Sequence, residues 1–100
     1  MSFYKVVLLE AALAELTESS VYYSQQSLEI GQAFEEEVFQ MLEVIRLNPL
    51  LFPIKFDRFH EAVLARFPFV IVYEVNVKEV LVAAIFYTKR NPVGKAKKKS

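Results

Sequence analysis

The chain has 100 residues, no cysteine, one histidine and two glycines, and its twelve Lys and Arg balance twelve Asp and Glu. One domain of this size buries roughly two-thirds of its unfolded surface, and 54% apolar against 24% charged residues places it among globular chains. The composition excludes disulfide scaffolds, thiol nucleophiles, Cys–zinc centres and most His-based metal sites, and two glycines exclude a Gly-rich phosphate cradle.

The zero net charge hides an asymmetry. Residues 1–45 carry one base and eight acids, whereas residues 46–100 carry eleven bases and four acids. Such a split points to two surfaces with different partners. An acidic helical half balanced by a Lys-rich tail is the ordinary explanation.

The stretch Phe3 to Leu9 is aromatic and β-branched, as a strand buried on both faces would be. Its apolar run Val6–Leu9 is broken by Glu10 and is too short for the core of a signal peptide. No segment approaches the ~18–20 apolar residues needed to span a bilayer, so the chain reads as cytoplasmic. From Glu10 the composition turns to Ala, Leu, Glu and Gln. Leu9, Leu13, Leu16, Ser20 and Tyr23 form one stripe of a helix ending near Gln26–Ser27. Ser27 to Gly31 reads as a connector, with Gly31 allowing the turn.

A second helix carries Phe34, Val38, Met41, Leu42 and Ile45 on one side and Glu35, Glu36, Gln40 and Glu43 on the other. Asn48-Pro49 stops it. Helices joined so closely pack antiparallel. After the apolar loop Leu50–Pro53 the period becomes two, and Lys55 to Arg66 reads as one strand with a solvated face. Phe67-Pro68 is a turn, Phe69 to Val75 a central strand, Asn76 to Glu79 a hairpin turn and Val80 to Thr88 the last strand. Residues 89–100 hold six Lys or Arg and no acid, and are expected to fray. The domain is therefore residues 1–92, with 93–100 as a disordered basic tail. The order β-α-α-β-β-β predicts a two-layer α+β fold: an antiparallel sheet with a helical hairpin on one face.

Several segments resemble the RelE/ParE superfamily of type II toxin–antitoxin toxins. They are Tyr22-Tyr23, Gly31 with Phe34, Asn48-Pro49 with Phe52-Pro53, Arg66-Phe67-Pro68-Phe69-Val70-Ile71-Val72-Tyr73-Glu74, and Ala84-Ile85-Phe86-Tyr87-Thr88-Lys89-Arg90-Asn91-Pro92. The resemblance runs from Tyr4 to Pro92 and departs at Tyr87, where many ParE-like members carry His. It implies the same fold, a growth-inhibiting cytoplasmic protein that helps stabilise plasmids, and neutralisation by a cognate antitoxin. Within the superfamily, RelE-like members cut mRNA on the ribosome, and ParE-like members bind DNA gyrase without evident chemistry.

Metal-free RNA cleavage needs a base, an acid and a cation for the phosphate. The candidates are His60, Arg66 and Tyr87. Alternation along a single strand places His60 and Arg66 on one face and Glu61 on the other. The ordinary readings are an exposed His60, an Arg66 that caps or pairs with a helix Glu, and a Tyr87 packed with its hydroxyl at the rim. Ribosomal docking demands a strongly basic surface, which a neutral chain with an acidic half does not offer. The ParE-like reading is therefore preferred: a gyrase-binding toxin without cofactor or metal, contacting its target through Arg66, Lys89 and Arg90. The rivals are a ribosome-dependent mRNA endonuclease and an inert relative that only binds antitoxin. Phe39, Val44, Leu51 and Phe52 are expected to be covered by an amphipathic antitoxin segment, through helix-in-groove packing or strand addition. Alternatively, Phe52 plugs the core below its loop.

Overall fold

The computed structural model describes residues 4–89. Seven elements follow in order: β1 (Lys5–Leu8), α1 (Glu10–Gln26), α2 (Leu28–Leu47), β2 (Ile54–Phe56), β3 (Phe59–Val63), β4 (Phe69–Val75) and β5 (Glu79–Tyr87). The sheet order is β1-β5-β4-β3-β2. Strands β2 to β5 form an antiparallel meander, and β1 adds to β5 in parallel. The sequence reading required β1 to join this sheet but left its partner open. The α+β architecture with a helical hairpin on one face is as expected.

The hairpin is tighter than the sequence suggested. Ser27 alone separates the helices: its N–H closes α1 onto the Tyr23 carbonyl, and its hydroxyl accepts from Ile30 N–H at the start of α2. Gly31 is therefore not a turn residue but lies in the first turns of α2. A Cβ at that position would run into Ser24 of α1, including its Cα at 3.0 Å. The glycine lets the two helices approach. One helical turn further on, the Ser20 hydroxyl donates to Glu35 across the same seam.

On α2 the expected stripe is correct: Phe34, Val38, Leu42 and Ile45 are buried, and Met41 packs against them. On α1 the stripe shifts. Ala12 and Leu16 are buried, whereas Leu13 is 53% exposed. Periodicity could not rank the small Ala12 above the bulkier leucine, yet the small side chain faces the core.

Below the helices the core takes alternate residues of each strand: Phe69, Ile71 and Tyr73 from β4, and His60 and Ala62 from β3. Strand β5 does not keep one phase. Val80 and Val82 are buried, and so is Ile85. The register explains the switch: Tyr73 pairs with Val82 while Val72 pairs with Ala84, so Ala83 is an extra residue. This bulge turns Ile85 and Tyr87 toward the helices. Without it Tyr87 would point to the opposite face.

Candidate functional site

The predicted strand from Lys55 to Arg66 is broken twice. Asp57 adopts a left-handed conformation (φ 52°), so β2 and β3 form a hairpin turning at Asp57-Arg58. Arg58 is exposed at this turn and pairs with Glu74 and Asp57 at 2.7 and 2.9 Å. Strand β3 ends at Val63, and Arg66 lies in the bend before β4. Strand alternation therefore says nothing about which face Arg66 shares with His60. Glu61 does lie opposite to His60, paired with Val72 on the other face.

His60 is buried, with 6% of its surface exposed. That corrects the reading of His60 as an exposed strand residue. Its ring stacks on Tyr73 at 4.9 Å with only 10° between planes. Its Nδ1 lies 2.8 Å from the Phe52 carbonyl, an acceptor only, so Nδ1 carries the proton and donates. The Tyr73 hydroxyl donates to the Pro49 carbonyl at 2.7 Å, and burial pushes this phenol up to about 12. Two sheet side chains thus hold both ends of the loop from Pro49 to Phe52. Phe52 packs against the core, as the alternative reading had it, while Leu50 and Leu51 project into solvent. Phe39 and Val44 are also exposed on α2. Val44, Leu47, Leu50 and Leu51 follow one another through the end of α2 and the loop after it, whereas Phe39 sits higher on the helix beside Gln32, Glu35, Glu36 and Gln40.

A different group of residues meets at the other end of the sheet. Phe69 is paired with Tyr87 across β4 and β5, and their rings lie 5.3 Å apart. Tyr23 of α1 contacts Phe67 at 5.1 Å, Phe34 at 5.2 Å and Phe69 at 6.3 Å. Tyr22 sits edge-on to Tyr23 at 5.4 Å. Together Glu18, Ser19, Tyr22, Tyr23, Phe69 and Tyr87 line an open cleft of about 340 Å³. Burial raises the Tyr23 phenol above its ordinary value, and the neighbouring phenols of Tyr87 and Tyr22 add to this.

His60 and Tyr87 do not meet. His60 pairs with Tyr73, four residues along β4 from the Phe69–Tyr87 pair, which is about 13 Å at the rise of a strand. Arg66 and Tyr87 do share one end of the molecule. Thr88 N–H donates to the Pro68 carbonyl, tying the end of β5 to the bend that carries Arg66. Arg66 and Lys89 are both exposed there. The expected Glu partner exists, but its contact is different: Glu37 of α2 accepts from the main-chain N–H groups of Ala65 (2.6 Å) and Arg66 (3.1 Å). The guanidinium stays over the edge of Phe67, 5.9 Å from the ring centre. Arg90 and the basic tail lie outside the described residues.

The residues missed by sequence reasoning are Glu18 and Ser19. The pair Tyr22-Tyr23 was visible as part of the family resemblance, and a helical step of four links Glu18 to Tyr22. What hid the cleft was the bulge at Ala83, since it decides which face Tyr87 occupies.

Among the described residues no cluster of three His, Asp or Glu side chains is arranged to hold a metal ion. No helix among them is long and apolar enough to cross a membrane.

No family model matches the sequence, and no curated protein matches it. Among solved structures, a chain of the chromosomal ParDE TA system from P. aeruginosa has the same fold. It superimposes with a TM-score of 0.74 at 15% identity, over 86% of this chain and 97% of that one. The fold is therefore that of a chain from a toxin–antitoxin system.

Proposed function

We propose that this protein is the toxin of a type II toxin–antitoxin module. It acts by binding DNA gyrase and is held inactive in the cytoplasm by a cognate antitoxin. The observation that carries this reading is the shared fold over 86% of the chain. It agrees with the ordered sequence segments from Tyr22-Tyr23 to the Ala84–Pro92 stretch. Binding rather than cleavage is favoured because His60 lies apart from Arg66 and Tyr87. His60 is consumed by the Tyr73 and Phe52 contacts, and the cleft beside Tyr87 presents a carboxylate and phenols but no cation for a phosphate among its described lining residues. The target surface on this reading is the end that carries Arg66 and Lys89, continued by Arg90. The antitoxin surface is the exposed apolar set Phe39, Val44 and Leu51, with Phe52 supporting the loop from below.

The rival, a ribosome-dependent mRNA endonuclease, draws on one observation. Arg66, Lys89 and Tyr87 occupy a common end of the molecule, where a guanidinium can fork onto phosphate.

Induced expression in a bacterial host tests the module itself. Growth should stop on induction and resume when the cognate antitoxin is co-expressed. Unimpaired growth at high expression would leave only the inert relative.

A further inference from the structure

The cleft near Tyr87 is built unlike a phosphate or nucleic-acid site. Its walls are four aromatic rings set at wide angles to one another: 70° between Tyr22 and Tyr23, 65° between Tyr23 and Phe69, and 47° between Phe69 and Tyr87. Rings so arranged are not stacked on one another, and Tyr22 and Tyr87 keep exposed surface at the cleft. Each aromatic face carries negative quadrupole density, which attracts a cation placed within about 6 Å of the ring centre. Among the described lining residues the one ionisable group besides the phenols is Glu18, which is exposed and adds a full negative charge. The Ser19 hydroxyl supplies a hydrogen-bond acceptor. None of the described lining residues is basic. Among the described lining residues an anion would meet Glu18 and three phenol rings; Arg66 and Lys89, exposed at the same end of the molecule, do not line the cleft.

We infer that the cleft lined by Glu18, Ser19, Tyr22, Tyr23, Phe69 and Tyr87 is a receptor for a single side-chain cation, an arginine or lysine presented by the bound antitoxin segment. The occupant is argued from charge complementarity. The described lining offers a carboxylate and aromatic rings, and the cleft of about 340 Å³ has room for one guanidinium or ammonium with its methylene stem. The identity of the partner rests on the toxin reading above, but the chemistry of the cleft does not. Aromatic rings beside a carboxylate select for charge at fixed shape, because a neutral isostere lacks the cation–ring attraction and makes only an uncharged hydrogen bond to the carboxylate.

The test titrates the free full-length chain with N-acetyl-arginine methylamide, following the tyrosine ring resonances by NMR. N-acetyl-citrulline methylamide serves as the neutral control of equal shape. The expected result is saturable shifts of Tyr22, Tyr23 and Tyr87, with the citrulline compound about tenfold weaker. Tyr22→Leu and Glu18→Gln, both at exposed positions, should each weaken arginine binding several-fold without changing the unfolding midpoint. Equal binding of the two compounds would overturn the proposal, as would tighter binding of adenosine monophosphate, which would make the cleft a base pocket. A second arm uses the purified complex with the antitoxin. The probe should no longer shift these rings, and undiminished binding would show that the antitoxin does not fill the cleft. Failure of the toxin reading would be seen separately, as the absence of growth arrest and of any co-purifying antitoxin, with the free-chain titration unaffected.

Discussion

The two ends of the sheet use similar residues for opposite purposes. At one end His60 and Tyr73 stack, lose nearly all exposure and spend their polar atoms on the Phe52 and Pro49 carbonyls. At the other end Tyr22, Tyr23 and Tyr87 surround an open cleft, beside a bend that displays Arg66. A buried polar side chain must satisfy its hydrogen-bonding groups within the protein, and the histidine end does so by clamping a loop. Among the described residues, the phenols and the carboxylate at the tyrosine end make no hydrogen bond to the rest of the chain and face an open cleft. Chemical type alone would have pointed to the only histidine, but burial and partners commit that side chain to holding a loop.

The largest expected effect breaks the closed end. Tyr73→Ala removes a fully buried ring and the loop contact together and should cost about 3–5 kcal/mol, measured by urea unfolding. That is a large share of the stability of a small domain. A cost below about 1 kcal/mol would mean that the His60–Tyr73 stack is not an anchor.

The same ring gives the closed end an alkaline signature. The Tyr73 phenol is pushed up to about 12 by burial, against about 10 in an unfolded chain. Between those values the unfolded chain releases a proton that the folded chain retains. Stability is therefore complete below about pH 10 and falls as pH rises toward 12, by about 2–3 kcal/mol. Tyr73→Phe should flatten most of this slope in unfolding measurements taken across that window; an unchanged slope would place the titrating group elsewhere.

Gly31→Ala probes the scaffold that sets both ends. Its Cβ meets the Ser24 main chain at 3.0 Å, so the hairpin must open, at a cost of about 1–3 kcal/mol by overpacking. Thermal unfolding should show a lower midpoint, whereas a Ser27-hinged hairpin with room to spare would show a gain from the better helix former.

The smallest stability change is expected at the open end, with the largest change in activity. Arg66→Ala should alter stability by no more than about 0.5 kcal/mol, because Glu37 holds the main-chain N–H of this residue and not its guanidinium. Growth inhibition should nonetheless fall sharply in a plate assay at matched expression. Unaltered toxicity would remove Arg66 from the target surface.

Much of this fold was readable because several elements carry a simple apolar pattern. The α2 stripe and the Phe69–Val75 strand follow from spacing alone. The features that decide the site were not readable, for identifiable reasons. One left-handed residue, Asp57, converts a long strand into a hairpin, and an Asp-Arg pair is a weak turn signal beside Asp-Gly or Asn-Gly. One extra residue, Ala83, reverses the facing of Tyr87, and alanine carries no bulge signature. The burial of His60 depends on Tyr73 lying opposite it, a pairing that register alone determines. The cleft needed the second of these, together with α1 placed over the end of β5. That placement is fixed in part by Glu15, which accepts from Ile85 N–H at 2.8 Å beyond the end of β1.

The central claim is that this protein stops growth by occupying its target and not by cutting RNA. The most direct measurement is DNA supercoiling by purified gyrase titrated with the purified chain, run beside a translating extract whose mRNA is mapped for breaks. Supercoiling should fail as the chain saturates gyrase, while the mRNA stays intact. Normal supercoiling at saturation, with new breaks in ribosome-bound mRNA that vanish in Arg66→Ala, would contradict it.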